Sequence, residues 1–202
     1  MIKKILFDLD NTLIKWENDY KYLSIKEAGI DDLELSKKID LATSKYEENI
    51  DSLTRETFTN YILSLNLGVT KEQIAKIIDN DCNRYTKASK EEIELLEYLS
   101  KKYELVVVTN WFYDVQSKRL ENAGMLKYFK AMYASSEYKS KPNKEIFLAA
   151  MGDNKPSECI MIGDSIEKDI EPAIKLGMQG ILVGEDKNYK CIKNILELKE
   201  ML

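Results

Sequence analysis

The chain has no histidine among its 202 residues, so no mechanism that uses imidazole as base, nucleophile or metal ligand is open to it. Any catalysis must run on carboxylates and their partners. Cysteine is scarce too: Cys82, Cys159 and Cys191 are odd in number and far apart, which excludes a disulfide framework and a paired-cysteine zinc site. A reducing cytoplasm is the expected location. Apolar runs are short. The opening Met1-Ile2-Lys3-Lys4-Ile5-Leu6-Phe7 places bases before an apolar stretch, but Asp8 and Asp10 end it too early for a signal peptide or a membrane span. It reads as a first β-strand. The 30 Lys and Arg are scattered among 35 Asp and Glu, with a net charge of -5, and no basic stripe marks a nucleic-acid surface. An anionic substrate must therefore be attracted locally. No internal repeat and no low-complexity tract is present.

At 44% hydrophobic residues, the chain can bury a full core and carry a second small domain. Residues 15–88 contain no proline and read as three to five packed helices, with apolar spacings such as Leu35, Ile39, Ala42, Tyr46 and Phe58, Ile62, Leu65. Gly29 and Gly68 stand where helices end, and Thr70 with Gln73 forms a capping-box start. Ser89 and Glu92 repeat that pattern ahead of the buried-strand run Leu105-Val106-Val107-Val108. From there strands near Met132–Ala134, Cys159–Ile162 and Gly180–Val183 alternate with helical patterns that end at Gly124, Gly152 and Gly177. Alternation of this kind predicts an α/β fold, a Rossmann-like parallel sheet with helices on both faces. The expected core is residues 1–14 and 89–202, interrupted after its first strand by an all-helical domain over residues 15–88.

Four short motifs carry the chemistry. Asp8 and Asp10 straddle one residue at a strand end, where period-two geometry sends both carboxylates to one side. Thr109-Asn110 ends the Leu105–Val108 strand, at the edge where open parallel sheets bind ligands. Lys141 precedes Pro142 and a helical pattern through Ile146 and Phe147, with Lys139 and Lys144 as competing lysines. Gly163-Asp164 follows the Cys159–Ile162 strand, and Asp169 lies five residues on. Taken singly, each has a plainer account: turn punctuation for the Asp pair, a helix cap for Thr109-Asn110, a surface lysine for Lys141. Together they supply four carboxylates, a hydroxyl and an ammonium, the set needed to handle a phosphate ester with a magnesium ion.

The ordered set resembles the four motifs of the haloacid dehalogenase-like (HAD) hydrolase superfamily, over about residues 1–14 and 100–184. The resemblance implies that Asp8 is the nucleophile and that Asp10 protonates the leaving alcohol and then activates water. Asp10 also implies a phosphatase or phosphomutase, because dehalogenases of the superfamily lack that second aspartate. Thr109 and Asn110 are implied to hold the phosphoryl oxygens, and Lys141 to balance charge on Asp8 and the phosphoryl group. The implied metal set is Asp8, Asp164, the Asp10 backbone carbonyl and waters, with Asp169 holding a metal-bound water or orienting Lys141, and Mg2+ as the ion. Two carboxylates about 4 Å apart repel by roughly 4 kcal/mol at an effective dielectric of 20, so phosphate binding calls for that cation.

The chain departs from many relatives at Trp111, where a glycine or small residue usually follows the Thr-Asn pair; Trp111 is expected to pack its loop or to contact the leaving group. The 15–88 insert resembles a helical cap, with Trp16, Tyr20 and Tyr46 as candidate site-facing residues. Residues 120–124 and 141–147 resemble the pyrimidine nucleotidase and phosphoglycolate phosphatase branches. The expected function is a magnesium-dependent phosphatase of a small phosphorylated metabolite, nucleoside monophosphates or phosphoglycolate-like esters foremost, as a monomer or homodimer. A sugar phosphomutase and a non-catalytic phosphate-binding scaffold are the alternatives.

Overall fold

The structure, a computed structural model, describes residues 1–16, 19–48 and 53–202. Six strands form one sheet: β1 (Lys4–Phe7), β2 (Glu104–Thr109), β3 (Ala131–Ala134), β4 (Cys159–Gly163), β5 (Gln179–Val183) and β6 (Cys191–Ile192). Their order is β3-β2-β1-β4-β5-β6, and every neighbouring pair runs parallel. The reversal of strand order at β1 puts the carboxyl ends of β1, β2 and β4 side by side, which is where a doubly wound sheet opens a ligand crevice. The two-residue β6 has no counterpart among the sequence expectations, because so short an edge strand has no apolar run to announce it.

Alternation within the strands builds two layers. Ile5, Phe7, Leu105, Val107, Ile160 and Ile162 bury one face against α5 (Lys90–Ser100), α6 (Tyr113–Asn122) and α9 (Leu198–Met201), through Leu96, Leu99, Leu120 and Leu198. Leu6, Val106, Val108 and Met161 bury the other against α7 (Lys144–Met151) and α8 (Glu171–Lys175), through Ile146, Phe147, Ala150 and Ala173. Helices thus cover both faces, and near-continuous apolar strands are the consequence.

Between β1 and β2 the chain inserts α1 (Tyr20–Glu27), α2 (Leu33–Glu48), α3 (Arg55–Ser64) and α4 (Lys71–Asn80), which bury an apolar cluster of their own. Ile39, Ala42, Tyr46, Phe58 and Ile62 are buried in it as their spacing predicts, whereas Leu65 is 39% exposed because α3 has already ended at Ser64. The capping boxes at Thr70 and Ser89 form as expected. A third, at Thr54, reaches a threonine rather than Glu or Gln at the third helical position, and the usual sequence pattern does not find it. Three residues after β2, Trp111, Phe112 and Val115, enter the insert's cluster, so the insert is seated on the core by apolar packing.

Candidate active site

Asp8 follows β1, and its N–H donates to the Ile162 carbonyl at 2.8 Å, extending the pairing of β1 with β4 by one residue. The chain then turns sharply: Leu13 and Ile14 donate to the Leu9 carbonyl at 2.9 and 3.1 Å, and Asn11 adopts a left-handed φ of 59°. Thr12 donates from Oγ1 to Asp8 Oδ2 at 3.2 Å. Asp164 follows β4 directly, and Asp169 sits on a five-residue π-helical turn, Ile166–Ile170, whose wide loop swings its carboxylate back beneath Gly163. A Cβ on Gly163 would collide with the Asp169 carboxylate, so the close approach requires glycine. Ser165 holds the loop, donating from its N–H to Asp169 Oδ2 at 3.1 Å and accepting from the Lys168 N–H at 3.1 Å.

The structure selects Lys141 from the neighbouring lysines. Its Nζ donates to Asp8 Oδ1 and to Asp169 Oδ1, each at 2.6 Å, while Lys139 pairs loosely with Glu145 at 3.9 Å. Burial disfavours the Lys141 ammonium, but Asp169 and Asp8 overcome that and raise its pKa above the ordinary value. Burial pushes the Asp169 carboxyl upward, with Lys141 pulling against it. Asp164 is raised by burial and by the charge on Asp8. One oxygen from each of Asp8, Asp164 and Asp169 lies within 4.8 Å of the others, a hard all-oxygen donor set. The three clustered carboxylates share one ammonium, that of Lys141, which leaves them a formal excess of two negative charges. A divalent cation with oxygen ligands fits this set in charge and chemistry.

The Asp10 side chain stands outside that group of three. Its Oδ1 accepts from Arg119 Nη1 at 2.6 Å and its Oδ2 from Gln116 Nε2 at 2.7 Å. Burial raises the Asp10 pKa, Arg119 opposes the rise and Asp8 adds to it. Neither Gln116 nor Arg119 is in any of the sequence motifs. The signal was nevertheless there: both fall between Val115 and Leu120 on the buried face of α6, where apolar residues belong.

Thr109 Oγ1 accepts from Gln116 Nε2 at 2.9 Å and lines the same cavity. Asn110 lines it too, but both ends of its amide are engaged by the Lys141 backbone: Oδ1 accepts from Lys141 N at 2.9 Å, and Nδ2 donates to Lys141 O at 3.2 Å. It braces the lysine from behind. Trp111 takes a φ of 108°, a conformation that favours glycine. Ser135 secures it by accepting the Trp111 N–H at 2.8 Å, and the ring packs edge-on to Phe58 of the insert at 5.3 Å. Packing therefore accounts for Trp111, although its surface also reaches the cavity.

These side chains surround a cavity of about 280 Å³ between core and insert. Trp16 and Tyr20, stacked at 4.0 Å, line its insert side together with Lys21 and Glu47. Tyr46 does not: it is buried in the insert with its hydroxyl donating to Thr57 Oγ1 at 2.7 Å. Lys21 and Glu47 were not among the sequence candidates. Burial pushes the Glu47 carboxyl up to about 7 against the pull of Lys21 and Lys168.

Comparison with known proteins gives the family. A family model for haloacid dehalogenase-like hydrolases matches residues 5–183. The glyceraldehyde 3-phosphate phosphatase of Methanocaldococcus jannaschii is 30% identical over 214 residues, covering 96% of this chain and 90% of that protein. The pyrimidine 5'-nucleotidase YjjG of Escherichia coli is 34% identical over 90 residues, a match spanning 43% of this chain and 40% of the nucleotidase. Among solved structures, the magnesium-bound HAD-hydrolase YfnB of Bacillus subtilis superposes with a TM-score of 0.77 at 19% identity, covering 100% of this chain and 98% of that one, a likeness of fold. The chain belongs to the haloacid dehalogenase-like hydrolases, among their phosphoric monoester hydrolases.

Proposed function

We propose that the protein is a magnesium-dependent phosphatase that hydrolyses a small phosphorylated metabolite through a phosphoryl group carried on Asp8. The observation that carries this reading is the Lys141 ammonium held at 2.6 Å from both Asp8 and Asp169, beside three clustered carboxylates in one cavity. In the first step an Asp8 oxygen attacks phosphorus in line; the new O–P bond forms as the ester O–P bond breaks, and Asp10 gives its proton to the departing alcohol. In the second, Asp10 takes a proton from water as that water attacks phosphorus, the Asp8 O–P bond breaks, and inorganic phosphate leaves. Thr109 and Lys141 hold the transferring oxygens, and Asn110 fixes Lys141 in place. Asp8, Asp164, Asp169 and the Asp10 carbonyl are the groups that would hold magnesium, which would neutralise charge on the phosphoryl oxygens.

Residues 15–88 act as a cap that closes the cavity from above and sets the substrate through Trp16, Tyr20, Lys21 and Glu47. A cavity of about 280 Å³ suits a single small ester rather than a polymer. Nucleoside monophosphates and short phosphorylated acids or aldehydes are the favoured substrates, in keeping with the nucleotidase and triose phosphate phosphatase among the relatives. All three cysteines are free, in keeping with a reducing, cytoplasmic setting. The test is phosphate release from a panel of nucleotide, sugar and small-acid phosphates with and without magnesium, in the native chain and in Asp8→Asn. Magnesium-dependent release that the variant loses supports the reading. Transfer to a second hydroxyl without net release would replace it with a mutase, and no reaction on any ester would replace it with a binding scaffold.

A further inference from the structure

We propose that Arg119 and Gln116 are positioning residues that fix the Asp10 carboxylate for proton transfer to the leaving oxygen. The proposal rests on the phosphatase reading above. Both Asp10 oxygens are held, Oδ1 by the Arg119 guanidinium at 2.6 Å and Oδ2 by the Gln116 amide at 2.7 Å, which removes rotation about the carboxylate's last bond. The two holders are themselves braced. Arg119 Nη1 also donates to Gln116 Oε1 at 2.6 Å, Arg119 Nε donates to the Arg84 carbonyl at 2.8 Å, and the guanidinium lies 3.3 Å from the centroid of the Trp16 ring. Gln116 Nε2 further meets Thr109 Oγ1 at 2.9 Å and the Asn110 carbonyl at 3.1 Å.

Arg119 and Gln116 are fully buried, whereas the Asp10 side chain is 23% exposed and lines the cavity. An arginine taken wholly out of water to pair with a carboxylate is weak support for stability, since desolvation offsets most of the attraction. Its consequence here is geometric. The guanidinium on Oδ1 and the amide on Oδ2 hold the carboxylate in one orientation at the cavity wall. General acids of this kind contribute when the leaving group is a strongly basic alkoxide and matter little when it is a stabilised phenolate.

The test compares kcat/KM, which reports the first phosphoryl transfer, for p-nitrophenyl phosphate and for the best alkyl ester of the panel, in Arg119→Lys, Arg119→Met and Gln116→Leu with magnesium. We expect the alkyl ester to fall by about 10²-fold and the nitrophenyl ester by less than about tenfold, with Asp10→Asn showing the same asymmetry. Adding Asp10→Asn to Arg119→Lys should then cost the alkyl ester no more than Asp10→Asn alone. Equal losses on both esters, or none on either, would overturn the proposal. Gln116→Leu keeps the ion pair and carries the test if an Arg119 variant does not fold. If the native chain hydrolyses neither ester, the phosphatase reading fails by itself, and a crystal structure of Gln116→Leu decides the positioning: a displaced Asp10 carboxylate supports it and an unmoved one overturns it.

Discussion

Two buried lysines, one in the core and one in the insert, form similar ion pairs with different consequences. Lys141 meets Asp8 and Asp169 at 2.6 Å; Lys21, on α1, meets the fully buried Asp81 at 3.0 Å. Burial works against both ammonium groups and the partner carboxylates prevail, raising both pKa values. The difference lies in what surrounds the pair. Lys141 stands where β1 and β4 end, beside a third carboxylate and an open cavity, so its charge is available to an anion. Lys21 closes a one-to-one pair and lies over the Tyr20 and Trp111 rings at 5.1 and 5.4 Å, tying insert to core at the cavity's upper wall. Pairing alone does not mark a lysine for phosphoryl chemistry; in the proposed mechanism, the excess negative charge at a strand end does.

Separating the two by substitution gives the largest expected effects. Lys141→Met should reduce kcat/KM for phosphate release by about 10³-fold, because it removes a charge that stabilises the transferring phosphoryl group. The same variant should lose about 3 kcal/mol of stability in urea unfolding without magnesium, having left Asp8 and Asp169 unpaired. Next, Gly163→Ala drives a methyl group into the Asp169 carboxylate and should lower kcat by about 10²-fold while the apolar core stays intact, as near-ultraviolet circular dichroism would verify. Lys21→Met should be the mirror image of the Lys141 variant: a similar stability loss of about 3 kcal/mol from the orphaned Asp81, but less than about a tenfold fall in kcat, with the change concentrated in KM and in substrate ranking. A loss of kcat as large as that of Lys141→Met would erase the contrast.

The smallest effect concerns Glu47, whose carboxyl is pushed up to about 7 from an ordinary value near 4.5. A carboxyl raised in the folded state holds its proton longer there than in the unfolded chain. Its stabilising contribution is therefore complete below about pH 4.5 and is lost as pH rises to about 7. Glu47→Gln should accordingly be near neutral at pH 4.5 and stabilising at pH 8, by on the order of 3 kcal/mol at most. Thermal unfolding of both proteins at the two pH values checks the sign.

The core and the insert also differed in how legible they were. Asp8, Thr109 and Asp164 could be read from short motifs because each sits at or just after the end of β1, β2 or β4, whose positions the apolar runs already define, whereas Lys141, seven residues past β3, was read from its place before Pro142 and the helical pattern of α7. Local spacing then determines which way the side chain faces. Helical character in the insert was equally plain, from the spacing of Ile39, Ala42, Tyr46, Phe58 and Ile62. Which insert residues reach the cavity was not, since helix packing and not local pattern decides it: Trp16 and Tyr20 line the site, whereas Tyr46 turns into the insert's own core. Lys21 and Asp81 lie sixty residues apart in sequence, and nothing in the pattern joins them. Arg119 and Gln116 were hidden by their helix, where a polar residue reads as solvent-facing unless its neighbours Val115 and Leu120 are weighed with it.

The most direct test of the account is to trap the phosphoryl group on the enzyme. Asp10→Asn, which leaves the nucleophile in place and removes the base for the second step, should be mixed with magnesium and p-nitrophenyl phosphate, quenched in acid within seconds, digested and analysed by mass spectrometry. The account predicts a phosphorylated peptide containing Asp8 and nitrophenol released in one stoichiometric burst. Nitrophenol release with no phosphoryl group on Asp8, or with the group on another residue, would contradict it.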